Sequence, residues 1–255
     1  MDYIAEIKEL AKKGHSIGVM KNPNRRKRLF EPTATMKQIQ DFERDMCVTL
    51  PRPFVRYLTE LGNGGAGADY GIYSLDRMRE ENPHAALAKD LPPMLDHSLT
   101  DAQWTEFAQR YTEICQRNFS SPEEGEQAEK ALREMELQMM AGGIIISTSG
   151  CTMNTILMCR GEAKGEVFVL DWDYMFQVHS EPWCGGKFED WMINNMRQRI
   201  KNPDVLSIIT DLSPKAPSKA VSSKYFHTIF RVIKIVGFLC SLFLLFFSLL
   251  RILRP

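Results

Sequence analysis

Apolar residues recur every three or four positions over the first half of the chain, a spacing that predicts amphipathic helices. The first predicted helix lies at the N-terminus and carries Ile4, Ile7 and Leu10 on one side. The second begins after Thr33 or Thr35, either of which is placed to cap it. The pattern therefore predicts a chain that begins with helices.

A glycine-rich loop, G-N-G-G-A-G at residues 62–67, follows a third predicted helix that starts near Pro53. A phosphate-binding loop needs its glycines before a helix, because the free N–H groups at the helix N-terminus must face the anion. The Lys-Ser/Thr pair of a P-loop is also missing. We therefore expect a structural helix exit, with Gly62 at the helix end, that leads into a strand over residues 70–75.

Two more helices are predicted in the middle of the chain. Apolar residues keep a helical spacing from Asp101 to Phe119. The sequence Ser-Pro-Glu-Glu at 121–124 forms a capping box with proline in the first helical position, so the next helix should run to about Met140.

The last third of the soluble part has the pattern of β-structure. Residues 144–150 predict a strand, and residues 155–172 predict a hairpin with glycines in its turn. Residues 172–179 extend the hairpin, and a final helix is predicted to begin at Phe188.

Charge and cysteine usage narrow the possible functions. The chain has 32 Lys and Arg against 32 Asp and Glu, and this neutral balance argues against a dedicated nucleic-acid binder. The basic segment 21–28 is interpreted as a solvated loop. The six cysteines include no C-x-x-C pair, so the spacing indicates neither a zinc site nor another metal or cofactor.

The composition changes near the C-terminus. Residues 206–228 include a Pro-, Ser- and Lys-rich stretch that predicts a linker. Ile235 to Leu250 is a run of 16 residues without a charge, about 24 Å long as a helix. A bilayer core is about 30 Å thick, and flanking Lys and Arg side chains extend such a span by snorkelling. We therefore predict a membrane-spanning helix within residues 229–254.

The residues expected to lie in the membrane are Ile235, Phe238, Leu239, Leu242, Phe243, Leu245, Phe246 and Leu249. Lys224, Arg231 and Lys234 precede the uncharged run, and the N-terminus lacks the pattern of a secretory signal. We expect a single-pass, tail-anchored membrane protein whose soluble domain lies in the cytoplasm.

The order of these motifs resembles a known family. L-P-x-x-F-x-x-Y-L-x-x-L-G-N-G-G at residues 50–65, the glycine-bounded strands at 144–168 and the F-x-x-W at 188–191 resemble the SUKH superfamily, the Smi–Knr type domain. The resemblance implies an α+β fold, a mostly antiparallel sheet packed against helices. It places this domain at residues 33–205, with a helical insertion at about 80–140, after an N-terminal helix and basic loop at 1–32.

The resemblance also implies binding rather than catalysis. Bacterial domains of this type are commonly immunity proteins that block a cognate toxin by direct contact, and a fungal relative is a regulatory hub in cell-wall synthesis. We expect the first role here, with a regulatory scaffold in envelope or cell-wall biosynthesis as the alternative. An acidic surface with aromatic anchors would suit a basic toxin. The candidate partner-binding residues are Asp171, Trp172, Asp173, Glu181 and Trp183.

An enzyme is the remaining class. Cys151 follows a predicted strand and His179 lies downstream, which is the minimum for a Cys–His hydrolase pair. The sequence indicates no third residue to orient the histidine. We therefore expect a protein that is not an enzyme, that needs no cofactor, and whose partners are a protein and a membrane.

Overall fold

The computed structural model describes residues 2–20, 22–23, 28–97, 99–150, 153–171 and 183–203. These residues belong to one compact unit that spans Met1–Ile208. The described helices are α1 (Tyr3–Ser16), α2 (Met36–Met46), α3 (Arg52–Arg56), α4 (Leu75–Glu81), α5 (Asp101–Gln116), α6 (Pro122–Met139) and α7 (Phe188–Lys201). Helix α3 continues as a π-helical turn, Tyr57–Leu61, and a short 3-10 helix covers Ala85–Ala88.

Within the part of the chain that the structure describes, four antiparallel strands form one sheet, so the fold class is α+β, as predicted. The strands are β1 (Gly143–Gly150), β2 (Met153–Met158), β3 (Glu166–Asp171) and β4 (Trp183–Lys187). They lie in the sheet in chain order, each paired with the next.

Helices cover both faces of this sheet. Along β2, Leu157 packs into a core shared with α1, α2 and α7, whereas Ile156 and Met158 pack into a second core. The second core contains Trp104 from α5 and Met139 from α6. Because side chains of a strand alternate between faces, each face carries its own apolar layer. The segment predicted as a helical insertion is what covers the second face.

Both predicted helix caps are present, but the complete capping box forms only at Thr35, because the Glu124 carboxylate accepts from the Ser120 N–H rather than from Ser121. Thr35 caps α2: its Oγ1 accepts from the Gln38 N–H at 3.2 Å, and its own N–H donates to Gln38 Oε1 at 2.8 Å. Ser121 caps α6 by accepting from the Glu124 N–H at 3.3 Å. Both caps satisfy N–H groups that have no partner inside the helix.

The predicted strand over residues 70–75 is wrong. Ile72 makes only an isolated bridge with Gly65, and Ser74 already caps α4. The segment instead lies beside β1, where the Tyr70 N–H donates to Thr148 O at 3.1 Å and the Tyr73 N–H to Ile146 O at 2.9 Å. The apolar pattern reflected this burial rather than a full strand.

The side chain of Asn82 binds the backbone of Ile145 at the same edge of β1. Its Nδ2 donates to Ile145 O at 3.1 Å and to Met78 O at 2.7 Å, and its Oδ1 accepts from the Ile145 N–H at 2.7 Å. The side-chain amide therefore takes the place of a neighbouring strand. An edge paired in this way does not present its backbone groups to another chain.

Close packing explains two glycines of the 62–67 loop. Gly64 has φ +89° and Gly65 has φ +138°, conformations that other residues rarely adopt. A Cβ on Gly65 would lie 2.5 Å from Leu29 O, and one on Gly64 would lie 2.8 Å from Ser74 N. The loop follows the π-helical turn, which agrees with its interpretation as a helix exit.

The predicted linker (206–228) and membrane helix (229–254) lie outside the described residues, as do residues 24–27 of the basic loop. None of the described helices combines the length and apolar composition that crossing a bilayer requires.

Candidate functional site

The residues predicted to bind a partner are only partly described. Asp171 ends β3 opposite Met153, and Trp183 begins β4 opposite Val169. The structure therefore brings the backbones of Asp171 and Trp183 to the same end of the β3–β4 pair. Trp172, Asp173 and Glu181 lie outside the described residues, as do Cys151 and His179 of the alternative hydrolase pair.

The helical hairpin formed by α5 and α6, here called the acidic hairpin, is a second candidate surface. Its inner side is apolar, with Trp104 and Ala108 from α5 and Leu132 from α6 buried. Tyr111 of α5 donates a hydrogen bond to Glu136 Oε1 of α6 at 3.0 Å and joins the two helices. The hairpin is therefore fixed by its buried side, which leaves the other side to solvent.

The exposed side of the acidic hairpin is strongly negative. Residues 101–140 contain nine acidic and four basic side chains, a formal charge of −5, so the rest of the neutral chain carries +5. The four basic residues are exposed, and so are seven of the acidic ones: Asp101, Glu106, Glu113, Glu123, Glu126, Glu129 and Glu134. A surface charge of one sign attracts a partner of the opposite sign over distances comparable with the Debye length.

Phe119 lies in the turn between the two helices and is 40% exposed. A Cβ added to Gly125, in the first turns of α6, would meet the Phe119 ring at 4.0 Å. The aromatic ring thus lies beside the acidic N-terminal end of α6. An exposed aromatic next to charged side chains is the composition typical of an interface anchor and its rim.

A third feature is a cluster of four polar side chains at the β3–β4 pair, here called the Glu166 cluster: His97, Glu166, Cys184 and Lys187. Glu166 pairs across the sheet with Lys187, and Cys184 with Phe168. The register shifts between these pairs, because β4 has one extra residue there, Gly185, which has no partner in β3. A bulge of this kind changes the direction of side chains and is frequent beside functional sites.

Glu166 is the centre of the cluster. Its Oε2 lies 2.6 Å from His97 Nε2 and accepts from the Cys184 thiol at 3.6 Å, while its Oε1 lies 2.9 Å from Lys187 Nζ. Burial acts to raise the pKa of Glu166, but hydrogen bonds from His97 and Lys187 outweigh it and hold that pKa below its ordinary value. Burial raises the pKa of the Cys184 thiol, and the Glu166 carboxylate adds to the effect.

His97 reaches this cluster from a loop and has φ +64°, an uncommon backbone conformation for a residue with a Cβ. Its ring also lies 5.5 Å, centre to centre, from Phe168. The cluster could not be predicted from spacing, because His97 is 69 residues from Glu166 along the chain. Only the fold joins them.

The sequence matches no protein-family model, no curated protein and no solved structure. The chemistry of these surfaces is therefore the basis for inferring a function.

Proposed function

We propose that this chain is a membrane-tethered binding protein that neutralises a cognate bacterial toxin by direct contact. In this proposal the domain is SUKH-like, the soluble part lies in the cytoplasm, and the C-terminal segment 229–254 spans the membrane. The protein is a binding module, not an enzyme.

The observation that supports it most is the acidic hairpin with its exposed Phe119. Residues 101–140 carry a formal charge of −5 on a chain of zero net charge, and an acidic segment of this kind suits a basic protein partner. Charge attraction speeds the encounter of two such surfaces, and a buried aromatic anchor slows their separation. A basic enzyme that acts on nucleic acid has the surface charge to match, because it must itself attract phosphates.

The uncharged C-terminal run supports the tether. Confining a binding protein to a membrane raises its local concentration where a toxin enters, without adding any contact to the interface. The fold class adds to the proposal, because an antiparallel sheet packed against helices is what the SUKH resemblance implies.

The test is a pull-down from membranes with the full-length chain as bait, followed by an inhibition assay on each captured protein. The proposal expects one secreted or effector-like protein that binds tightly and loses its toxic activity in the complex. Capture of a set of envelope-biosynthesis proteins, none of them inhibited, would favour the regulatory scaffold and contradict the toxin-neutralising role.

A further inference from the structure

We propose that His97, Glu166 and Cys184 form a binding site for a divalent transition-metal ion, and that Zn²⁺ is the ion that suits this donor set. One ligand atom from each residue lies within 4.8 Å of the other two. The site is separate from the acidic hairpin surface, and its existence does not depend on the proposed function.

The chemistry of the three donors is the first argument. An imidazole nitrogen, a carboxylate oxygen and a thiolate are the ligands that bind Zn²⁺ in proteins, whereas Mg²⁺ and Ca²⁺ prefer oxygen alone. Ordinary polar networks rarely include a cysteine, which is a weak hydrogen-bond partner. The thiol of Cys184 nevertheless points at Glu166 Oε2, at 3.6 Å.

The distances between donors are the second argument. In a tetrahedral site with Zn–N and Zn–O bonds of about 2.0 Å and a Zn–S bond of about 2.3 Å, the ligand atoms lie about 3.3–3.6 Å apart. The 3.6 Å between Cys184 Sγ and Glu166 Oε2 already fits. His97 Nε2, at 2.6 Å from the same oxygen, must move outward by about 0.7 Å to reach this separation. Its side chain is 53% exposed and can therefore move, and the same movement must place Nε2 about 3.5 Å from Cys184 Sγ, from which it now lies within 4.8 Å.

Lys187 is a positioning residue that orients the carboxylate of Glu166. Its ammonium group holds Glu166 Oε1 at 2.9 Å, which leaves Oε2 directed at His97 and Cys184. Carboxylate ligands of metals are commonly oriented in this way by a group that binds their second oxygen. Glu166 is therefore prepared to act as a ligand through one oxygen only.

Three protein ligands leave one position of a tetrahedral ion for water or another small ligand. Without the ion, the three groups satisfy one another by hydrogen bonding, so binding must replace those bonds. On binding, the ion exchanges three of its water ligands for His97 Nε2, Glu166 Oε2 and Cys184 Sγ. The Cys184 thiol loses its proton to solvent, and His97 binds as the tautomer that carries its proton on Nδ1.

The test is a titration of the full-length, chelator-treated protein with Co²⁺, which takes the place of Zn²⁺ and is visible by absorption. The expected result is one equivalent of Co²⁺ with the near-ultraviolet thiolate charge-transfer band and the visible bands of a tetrahedral ion, both abolished by excess Zn²⁺. The variants Cys184→Ser and His97→Gln should each weaken binding at least tenfold, and Cys184→Ser should lack the charge-transfer band. Cys47→Ser and His84→Gln are matched controls at exposed positions and should behave as wild type.

A second readout guards against a variant that fails to fold. In the wild-type chain, Zn²⁺ should protect Cys184 from alkylation, as mapped by mass spectrometry, and leave Cys47 equally reactive. No cobalt band in the wild type, a band that persists in Cys184→Ser, or alkylation of Cys184 at the same rate with and without Zn²⁺ would each overturn the proposal.

Discussion

Two tyrosine hydroxyl groups in neighbouring parts of the fold should have opposite effects on stability. Tyr57 is fully buried, and among the described residues its hydroxyl has no hydrogen-bond partner. Tyr3 is half-buried, and its hydroxyl donates to Pro53 O at 2.7 Å. Replacing each by Phe removes the same atom and keeps the ring. For Tyr57 the ring contacts, such as the one with Phe188 at 5.9 Å, remain.

The magnitudes follow from the state of each hydroxyl group. A buried polar group without a partner costs about 1–3 kcal/mol, so Tyr57→Phe should raise the free energy of unfolding by about 1 kcal/mol after the loss of packing around the oxygen. A satisfied hydrogen bond contributes about 0.5–1.5 kcal/mol, so Tyr3→Phe should lower it by about 1 kcal/mol. The two variants should therefore differ by about 2 kcal/mol.

The assay is urea denaturation of the full-length chain, followed by tryptophan fluorescence and circular dichroism, with thermal melting as a second measurement. In a domain of this size, 1 kcal/mol corresponds to a shift in Tm of about 2–4 °C. Equal destabilisation by both substitutions would contradict this prediction, because it would mean that the Tyr57 hydroxyl binds a partner such as a buried water molecule.

Three further predictions concern the edge of the sheet, the thiols and the C-terminal tail. Asn82→Ala should destabilise the chain by about 2–4 kcal/mol in the same urea assay, because it leaves both backbone groups of Ile145 without a partner; the exposed control Asn118→Ala should change little. Burial raises the pKa of Cys159 to about 12, so its alkylation at neutral pH should be much slower than that of exposed Cys47 and should be accelerated by urea. The rates are measured by mass spectrometry, and similar rates for the two thiols in the native chain would contradict the burial of Cys159. Truncation after Asp211 should weaken protection of cells against the toxin while leaving the affinity of the purified domain unchanged, and full protection by the truncated chain would disprove the role of the tether.

Six of the seven described α-helices are predicted from sequence, because each satisfies local rules. The exception is α4, since the apolar pattern of residues 70–75 predicts a strand at its start. The capping box at Thr35 and the Ser121 cap of α6 are short-range hydrogen-bond patterns, and the structure contains both. Strand β4 could not be predicted, because its sequence follows no such local rule. Its sequence, W-C-G-G-K, has no alternation, and its two central glycines have low strand propensity, so its pairing with β3 is decided by tertiary contacts.

The candidate sites were less accessible than the fold. The charge of residues 101–140 can be counted from sequence. The position of these charged side chains cannot, because it depends on which faces of α5 and α6 pack against the sheet. The Glu166 cluster depends on a loop at His97 and on the irregular pairing of β3 with β4. The role of Asp171 and Trp183 in binding is predicted from their residue types alone and stays a prediction.

The most direct test of the account is the affinity of the captured toxin for two charge-reversed forms of the full-length chain. One form carries Glu126→Lys and Glu129→Lys in the acidic hairpin, and the control carries Glu80→Lys and Glu162→Lys at exposed positions elsewhere. The two forms have the same net charge, so only the location of the change differs. We predict at least tenfold weaker binding for the hairpin form alone, because it associates more slowly with the partner. The difference in association rate between the two forms should become smaller at high salt. Equal affinity of the two forms would contradict the claim that the acidic hairpin binds the partner.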